Sequence, residues 1–108
     1  MSEKKILGLL GIAEKAGKTA SGEFSVEQAL KARKAKLVIL AKDASDNTKK
    51  KFREQCEREK CPLICLSDKQ TLARAIGKEE RACAAVLDSG LTEAILRTAE
   101  RLNGYQGE

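Results

Sequence analysis

Apolar residues recur along this chain with two different periods. Near the start Ile6, Leu9, Leu10 and Ala13 return every three or four residues, the spacing of a helix with one buried face. Ser2 stands where it can cap that helix, and Gly17 suits the left-handed position just past its end. Lys18 to Ser21 reads as a short strand. Ser21 or Gly22 then opens a second helix with Val26, Ala29 and Leu30 on one face. Ala35 to Ala41 is continuous, partly β-branched and apolar, as a buried central strand would be. Ser45 caps a third helix running to about Lys60. Its Thr48, Phe52 and Cys56 recur every fourth residue, while Lys49, Lys50, Lys51, Arg53 and Arg58 cover the outside.

Pro62 cannot continue that helix, and Leu63 to Leu66 reads as the next strand. Ser67 or Asp68 caps a fourth helix with Leu72, Ala73 and Ile76, ended by Gly77. Ala82 to Leu87 is a further apolar strand. The last helix carries Leu91, Ala94, Ile95, Thr98, Ala99 and Leu102 along one stripe. Helices and strands alternate from end to end, with no repeat or linker. The fold class predicted is α/β, a three-layer α/β/α sandwich on a small four-stranded mixed sheet. Crossover helices would join neighbouring strands, and residues 1–108 would form a single domain.

Composition narrows the chemistry. The chain has 108 residues, no histidine, no tryptophan and three aromatic residues, Phe24, Phe52 and Tyr105. Histidine-dependent triads and most histidine metal sites are thereby excluded. RNA modules that stack bases on several rings are disfavoured too. Net charge is +5, and its distribution is uneven. Residues 1–60 hold 15 basic and 9 acidic side chains, net +6, whereas residues 61–108 hold 6 and 7. Such an excess attracts polyanions if the fold gathers it on one side. No targeting segment or membrane-length apolar run is seen, so the expected compartment is the cytoplasm.

Two patterns invite chemical readings that fail on count. Gly11 to Thr19 resembles a phosphate-binding loop, but five residues separate Gly11 from Gly17 where four are needed, and Gly11 sits inside a helix. Gly8 and Gly11 are read instead as sites of close helix packing. Cys56, Cys61, Cys65 and Cys83 contain no C-x-x-C pair, so they read as reduced thiols acting as small hydrophobes rather than zinc ligands. Asp43, Asp46, Asp68 and Asp88 lie where turns and helix caps use them. No cofactor, metal or catalytic set is implied.

The junction Ser21-Gly22-Glu23-Phe24-Ser25 is more informative. A helix start offers unpaired N–H groups, Gly22 removes side-chain bulk, and Ser25 and Gln28 lie one turn apart. From the residues alone, an ordinary capped helix and a contact site are equally good readings.

The run from Ala16 to Ser45, AGKTASGEFSVEQALKARKAKLVILAKDAS, resembles the kink-turn RNA-binding ribosomal-protein family. That family includes large-subunit ribosomal proteins seven-Ae and thirty-e, and the resemblance is nearest to its bacterial YlxQ-type group. It extends from Lys5 to about Leu102 through the N-T-K-K-K helix and the A-I-G-K-E-x-R loop at Ala75 to Arg81. It implies the same α/β/α sandwich and binding of sharply bent RNA. The contacts would come from the strand–helix junction and from the loop before the last strand.

Strong binders of the family carry Gly-x-Asn-Glu-x-x-Lys at the junction. Here Gly22 matches, Phe24 stands at the Asn position, Ser25 at the Glu position and Gln28 at the Lys position. Ser25 and Gln28 can still hydrogen-bond, but charge-assisted contacts are lost. Phe24 either stacks on a base or packs locally. Glu79 and Glu80 would repel phosphate unless they point away.

The resemblance thus implies a non-enzymatic, cytoplasmic, monomeric RNA-binding protein. Its partner would be structured RNA, ribosomal RNA first, with ribosomal or RNA-processing proteins as possible company and no membrane. Lys18, Ser21, Gly22, Glu23, Phe24, Ser25 and Gln28 would form the contact, flanked by Lys31, Lys34, Lys42, Arg81 and Ala82. The alternative is a protein-interaction module that kept the fold and lost kink recognition, motivated by Phe24, Ser25 and Gln28.

Overall fold

The computed structural model describes residues 2–101, in which helices and strands alternate in the expected order. The helices are α1 (Ser2–Lys15), α2 (Glu23–Lys31), α3 (Asp46–Glu59), α4 (Lys69–Ala75) and α5 (Ser89–Glu100). The strands are β1 (Thr19–Ser21), β2 (Leu37–Leu40), β3 (Leu63–Cys65) and β4 (Cys83–Val86). The capping expected of the Ser2 side chain, the stripe position Leu102, and Tyr105 lie outside the described residues.

The strands form one mixed sheet in the order β1-β4-β2-β3. β2 and β3 are parallel neighbours joined over α3, while β4 runs antiparallel to both β1 and β2. Among the described residues only the β2–α3–β3 crossover therefore joins adjacent strands, where sequential neighbours were expected throughout. The reason lies in burial. Every residue of β2 and β4 is buried, so these two take the centre, whereas β1 is half-exposed along its length and serves as an edge.

Alternation along the central strands builds two cores. Leu37 and Ile39 of β2, with Ala84 and Val86 of β4, face Ile6, Leu10, Leu72, Ile95 and Ala99 of α1, α4 and α5, and Ile76 just past the end of α4. Val38 and Leu40, with Cys83 and Ala85, face Val26, Leu30, Phe52 and Cys56 of α2 and α3. Each such fully buried large side chain contributes about 1.5–3 kcal/mol by leaving water. The sheet is thus covered on both sides, which is the three-layer sandwich the pattern predicted.

Local signals explain the boundaries. Ser45 and Asp68 accept hydrogen bonds from Thr48 N and Thr71 N, capping α3 and α4. Asp88 does the same for α5 through Leu91 N. Gly17 turns the chain with φ +72°. Arg33, Lys60 and Ser67 also hold left-handed backbone, at φ 60°, 57° and 55°. Each non-glycine residue there costs about 1–2 kcal/mol.

Two expectations need correction. Gly11 does serve close packing, since a Cβ there would sit 3.1 Å from the Ala75 carbonyl oxygen, but one at Gly8 would meet nothing within 4 Å. In α5 the buried residues are Thr92, Ile95, Thr98 and Ala99, while Leu91 is only partly buried and packs against the core. Thr98 satisfies its hydroxyl on the Ala94 carbonyl at 2.9 Å. The Thr92 hydroxyl has no hydrogen-bond partner among the described residues.

Candidate functional site

The β1–α2 junction is built at the sheet end where β1 finishes and β4 begins. Ser21 pairs with Ala84, and the Gly22 N–H donates to the Cys83 carbonyl at 3.1 Å. Continuing that bond into a helix demands a backbone that other residues rarely adopt. Gly22 has φ +87° and ψ 156°, a region essentially reserved for glycine. α2 starts immediately after, and no side chain caps it, unlike α3, α4 and α5. The N–H groups of its first turn therefore have no side-chain acceptor and carry the positive end of the helix dipole.

The loop before β4 closes against this junction. Ala41 N–H donates to the Ala82 carbonyl at 2.8 Å, which holds the loop beside the end of β2. Arg81 Nε donates to Ser21 Oγ at 3.4 Å. Its Nη1 donates to the carbonyls of Glu79 and Glu80 at 2.6 and 3.1 Å. One guanidinium thus shapes its own loop and ties it to the junction. Ser21, Gly22, Glu23, Phe24, Ser25, Glu80, Arg81 and Ala82 line the resulting open depression. Phe24 does not pack locally: it is 76% exposed at the rim. Ser25 and Gln28 are exposed as well.

Glu23 is held from α3. Its Oε2 accepts from Thr48 Oγ1 at 2.9 Å and its Oε1 pairs with Lys51 Nζ at 2.7 Å. Lys51 also pairs with Glu27 at 2.6 Å. Ser45 Oγ donates to Thr48 Oγ1 at 2.9 Å, completing a polar clamp between the first turns of α2 and α3. The Lys51 ammonium, and then the Thr48 hydroxyl, hold the Glu23 carboxyl below its ordinary value. The same two carboxylates push Lys51 up.

The sequence reading missed Thr48 and Lys51 as site supports. Thr48 carried only the signal of a core position, and nothing in the spacing linked either to Glu23. Lys69 pairs with Glu80 at 3.3 Å, so the acidic loop is partly neutralised.

The expected residues do not all meet. Lys42 follows Ala41 at the same sheet end, but its ammonium reaches Glu3 of α1 at 3.0 Å. Burial raises the Glu3 carboxyl, yet hydrogen bonds from Lys42 and Ser67 outweigh it, and the net shift is downward. Lys18, Lys31 and Lys34 stand at the other end of the sheet. Lys18 accepts from Leu87 beyond the end of β4, Lys31 ends α2, and Lys34 folds back to Ala29. Charges around the junction itself nearly cancel, because Lys51 faces Glu23 and Glu27 and Lys69 faces Glu80.

The cysteines are reduced thiols; Cys56 and Cys83 are buried and Cys61 and Cys65 half-buried. Burial pushes Cys83 up to about 12. A hydrogen bond with Cys61, then burial, pushes Cys56 up. Among the described residues no three His, Cys, Asp or Glu side chains gather as a metal site. No helix among them is long and apolar enough to cross a membrane.

Residues 4–95 match the ribosomal protein L7Ae/L30e/S12e/Gadd45 family. The RNA-binding protein YlxQ of Bacillus subtilis (strain 168) is 40% identical over 96 residues, covering 89% of this chain and 96% of that protein. YlxQ of Enterococcus faecium, also described as RNA-binding, is 32% identical over 103 residues, covering 95% and 96%. Among solved structures, a Bacillus halodurans protein of unknown function superposes with a TM-score of 0.85 at 36% identity, covering 89% of this chain and 97% of that one. The Giardia lamblia 15.5kD RNA binding protein shares the fold, with a TM-score of 0.78 at 20% identity over 93% of this chain and 86% of that one.

Proposed function

The chain belongs to the ribosomal protein L7Ae/L30e/S12e/Gadd45 family, and on that premise we propose that it is a non-enzymatic RNA-binding protein that holds bent, kink-turn-like RNA. The observation that carries this reading is the glycine-started α2, uncapped by any side chain, which presents Phe24 and faces the Arg81–Ala82 loop across one open depression. Free N–H groups at the helix start donate hydrogen bonds to phosphate or base oxygens. Phe24 presents a ring on which an unstacked base can lie, a contact worth about 1–3 kcal/mol. Ser21, Ser25 and Gln28 offer neutral hydrogen bonds to base edges, and Gly22 and Ala82 let the RNA approach closely. Glu23 acts by positioning the first turn.

Two curated relatives named as RNA-binding, each matched over nearly its whole length, support the same reading. Its setting would be the cytoplasm, as a monomer on ribosomal RNA beside ribosomal or RNA-processing proteins. Lys42 would flank the site, and Lys18, Lys31 and Lys34 would serve more distant phosphates.

The test is titration of the full chain against a bent internal-loop RNA and a straight duplex of equal length, at several salt concentrations. Preference for the bent RNA by about tenfold or more is expected, since each lost junction contact is worth a kcal/mol or more. Equal affinity for both would reduce the reading to non-specific attraction. No RNA binding, together with nuclease-resistant protein partners in pull-downs, would favour a protein-interaction module presenting the exposed Phe24.

A further inference from the structure

The positive charge of this protein collects at the end of the sheet away from the α2 N-terminus. α2 and α3 pack together through Val26, Leu30, Phe52 and Cys56, and both finish at that end. Lys31, Arg33, Lys34, Lys36, Arg58 and Lys60 lie in their last turns and the segments that follow, against Glu57 and Glu59. Six cations and two carboxylates leave +4 there, from a total of +5 for the whole chain. The C-termini of two helices carry together about one negative charge, so compensating the dipoles accounts for only part of this excess.

Local structure makes the cluster converge. Arg33, Lys36, Arg58 and Lys60 line a single concavity of about 450 Å³ with Cys61 and Pro62. Arg33 and Lys60 occupy left-handed positions where glycine or asparagine is the ordinary choice, and both are basic instead. Glu59 reaches Arg33 at 3.6 Å. Among the described residues no carboxylate lies within ion-pair distance of Lys36, Arg58 or Lys60.

We propose that this pole is a second RNA-backbone surface, binding phosphates of a segment beyond the bend. The inference rests on the RNA-binding reading above and deepens it. The junction is nearly neutral and offers shape and hydrogen bonds, whereas phosphate attraction dominates affinity for nucleic acid. The pole supplies what the junction lacks. α2 has nine residues and at that length runs about 13 Å from one to the other. An RNA arm leaving the junction alongside α2 meets the pole, and a trimmed arm does not.

The experiment compares the full chain with two variants of equal charge loss. One carries Lys36→Gln, Arg58→Gln and Lys60→Gln. The control carries Lys4→Gln, Lys5→Gln and Arg97→Gln, exposed positions on α1 and α5 across the sheet. The probes are a bent internal-loop RNA with long arms and the same RNA with trimmed arms. The pole variant is expected to lose about tenfold or more in affinity for the long-armed RNA and about two units of salt slope, and to bind the trimmed RNA nearly as wild type does. The control should move the slope by less than about half a unit.

A charge-keeping variant, Lys36→Arg with Arg58→Lys and Lys60→Arg, should restore binding and separates charge from folding. A pole variant indistinguishable from the control would overturn the second surface while leaving the junction reading intact. A wild-type chain that binds neither RNA overturns both.

Discussion

The Thr48 hydroxyl donates to the Glu23 carboxylate at 2.9 Å, so the first turn of α3 holds the first turn of α2 in place. Thr48 is buried, and its hydroxyl also accepts from Ser45 at 2.9 Å. Thr48→Val keeps the shape and removes both bonds. Stability should fall by about 1–2 kcal/mol, since a hydrogen bond to a charged group exceeds a neutral one. For a domain of this size that lowers the melting temperature by about 4–8 °C per kcal/mol. Thr48→Ser should stay close to wild type, and an equal loss in both variants would remove the hydroxyl from the account.

The same clamp gives acid sensitivity a sign. Lys51 and Thr48 depress the Glu23 carboxyl below its ordinary value of 4.5. A depressed carboxyl stabilises the fold above its unfolded-state value and loses that contribution as pH falls through the folded one. Denaturant unfolding followed from neutral pH downward should therefore show stability declining below about pH 4.5. Lys51→Met should flatten that decline, because Glu23 then titrates nearer its ordinary value. A parallel decline in wild type and variant would contradict the assignment.

Phe24 is 76% exposed, so folding gains little from its ring. Phe24→Ala should leave thermal stability within about 0.5 kcal/mol of wild type. Affinity for a bent internal-loop RNA should nonetheless drop about tenfold, the value of one base stacked on an aromatic ring, with little change in salt slope. Isothermal titration and a melting curve on the same sample read both quantities. Unchanged affinity would take Phe24 out of the interface.

Gly22→Ala tests backbone rather than space. A Cβ at Gly22 would sit 3.9 Å from Arg81, an ordinary contact, but φ +87° with ψ 156° strains any other residue. The expected loss is about 1–3 kcal/mol. Weaker RNA binding should accompany it, as the junction shifts relative to Arg81. A fully stable alanine variant would show that this backbone is not held.

Thr92→Val should stabilise. The Thr92 hydroxyl is buried without a partner among the described residues, and valine has nearly its shape. Relieving an unsatisfied buried hydroxyl is worth about 1 kcal/mol or more in denaturant unfolding. A loss of stability would mean that the hydroxyl is satisfied after all.

Periodicity carried most of the fold because burial on one face leaves a direct trace. Thr48, Phe52 and Cys56 were legible as the inner face of α3, and Ser45 as its cap, from spacing alone. Strand order left no such trace. β4 lies between β1 and β2 because it is the more thoroughly buried strand, a competition decided among distant segments. Thr92 was hidden by its hydroxyl, which reads as polar although the position is core.

At the site, Gly22 and the Arg81–Ala82 loop could be picked out through the family resemblance, and the fold brings them together. The exposure of Phe24, the Glu23–Lys51 pair and the gathering of charge at the far pole depend on packing. No local pattern encodes them.

The hydrogen bond from Gly22 to Cys83 has a consequence for how the protein is made. β1 is fixed to the sheet through β4, and most of the chain lies between those two strands. On the ribosome, the N-terminal part emerges first and must wait for the segment around Cys83 before its junction can take shape. A nascent chain stopped before β4 would carry every residue of α2 and still lack the site. The geometry of the junction is therefore acquired only once β4 has emerged, well after α2 itself has been made.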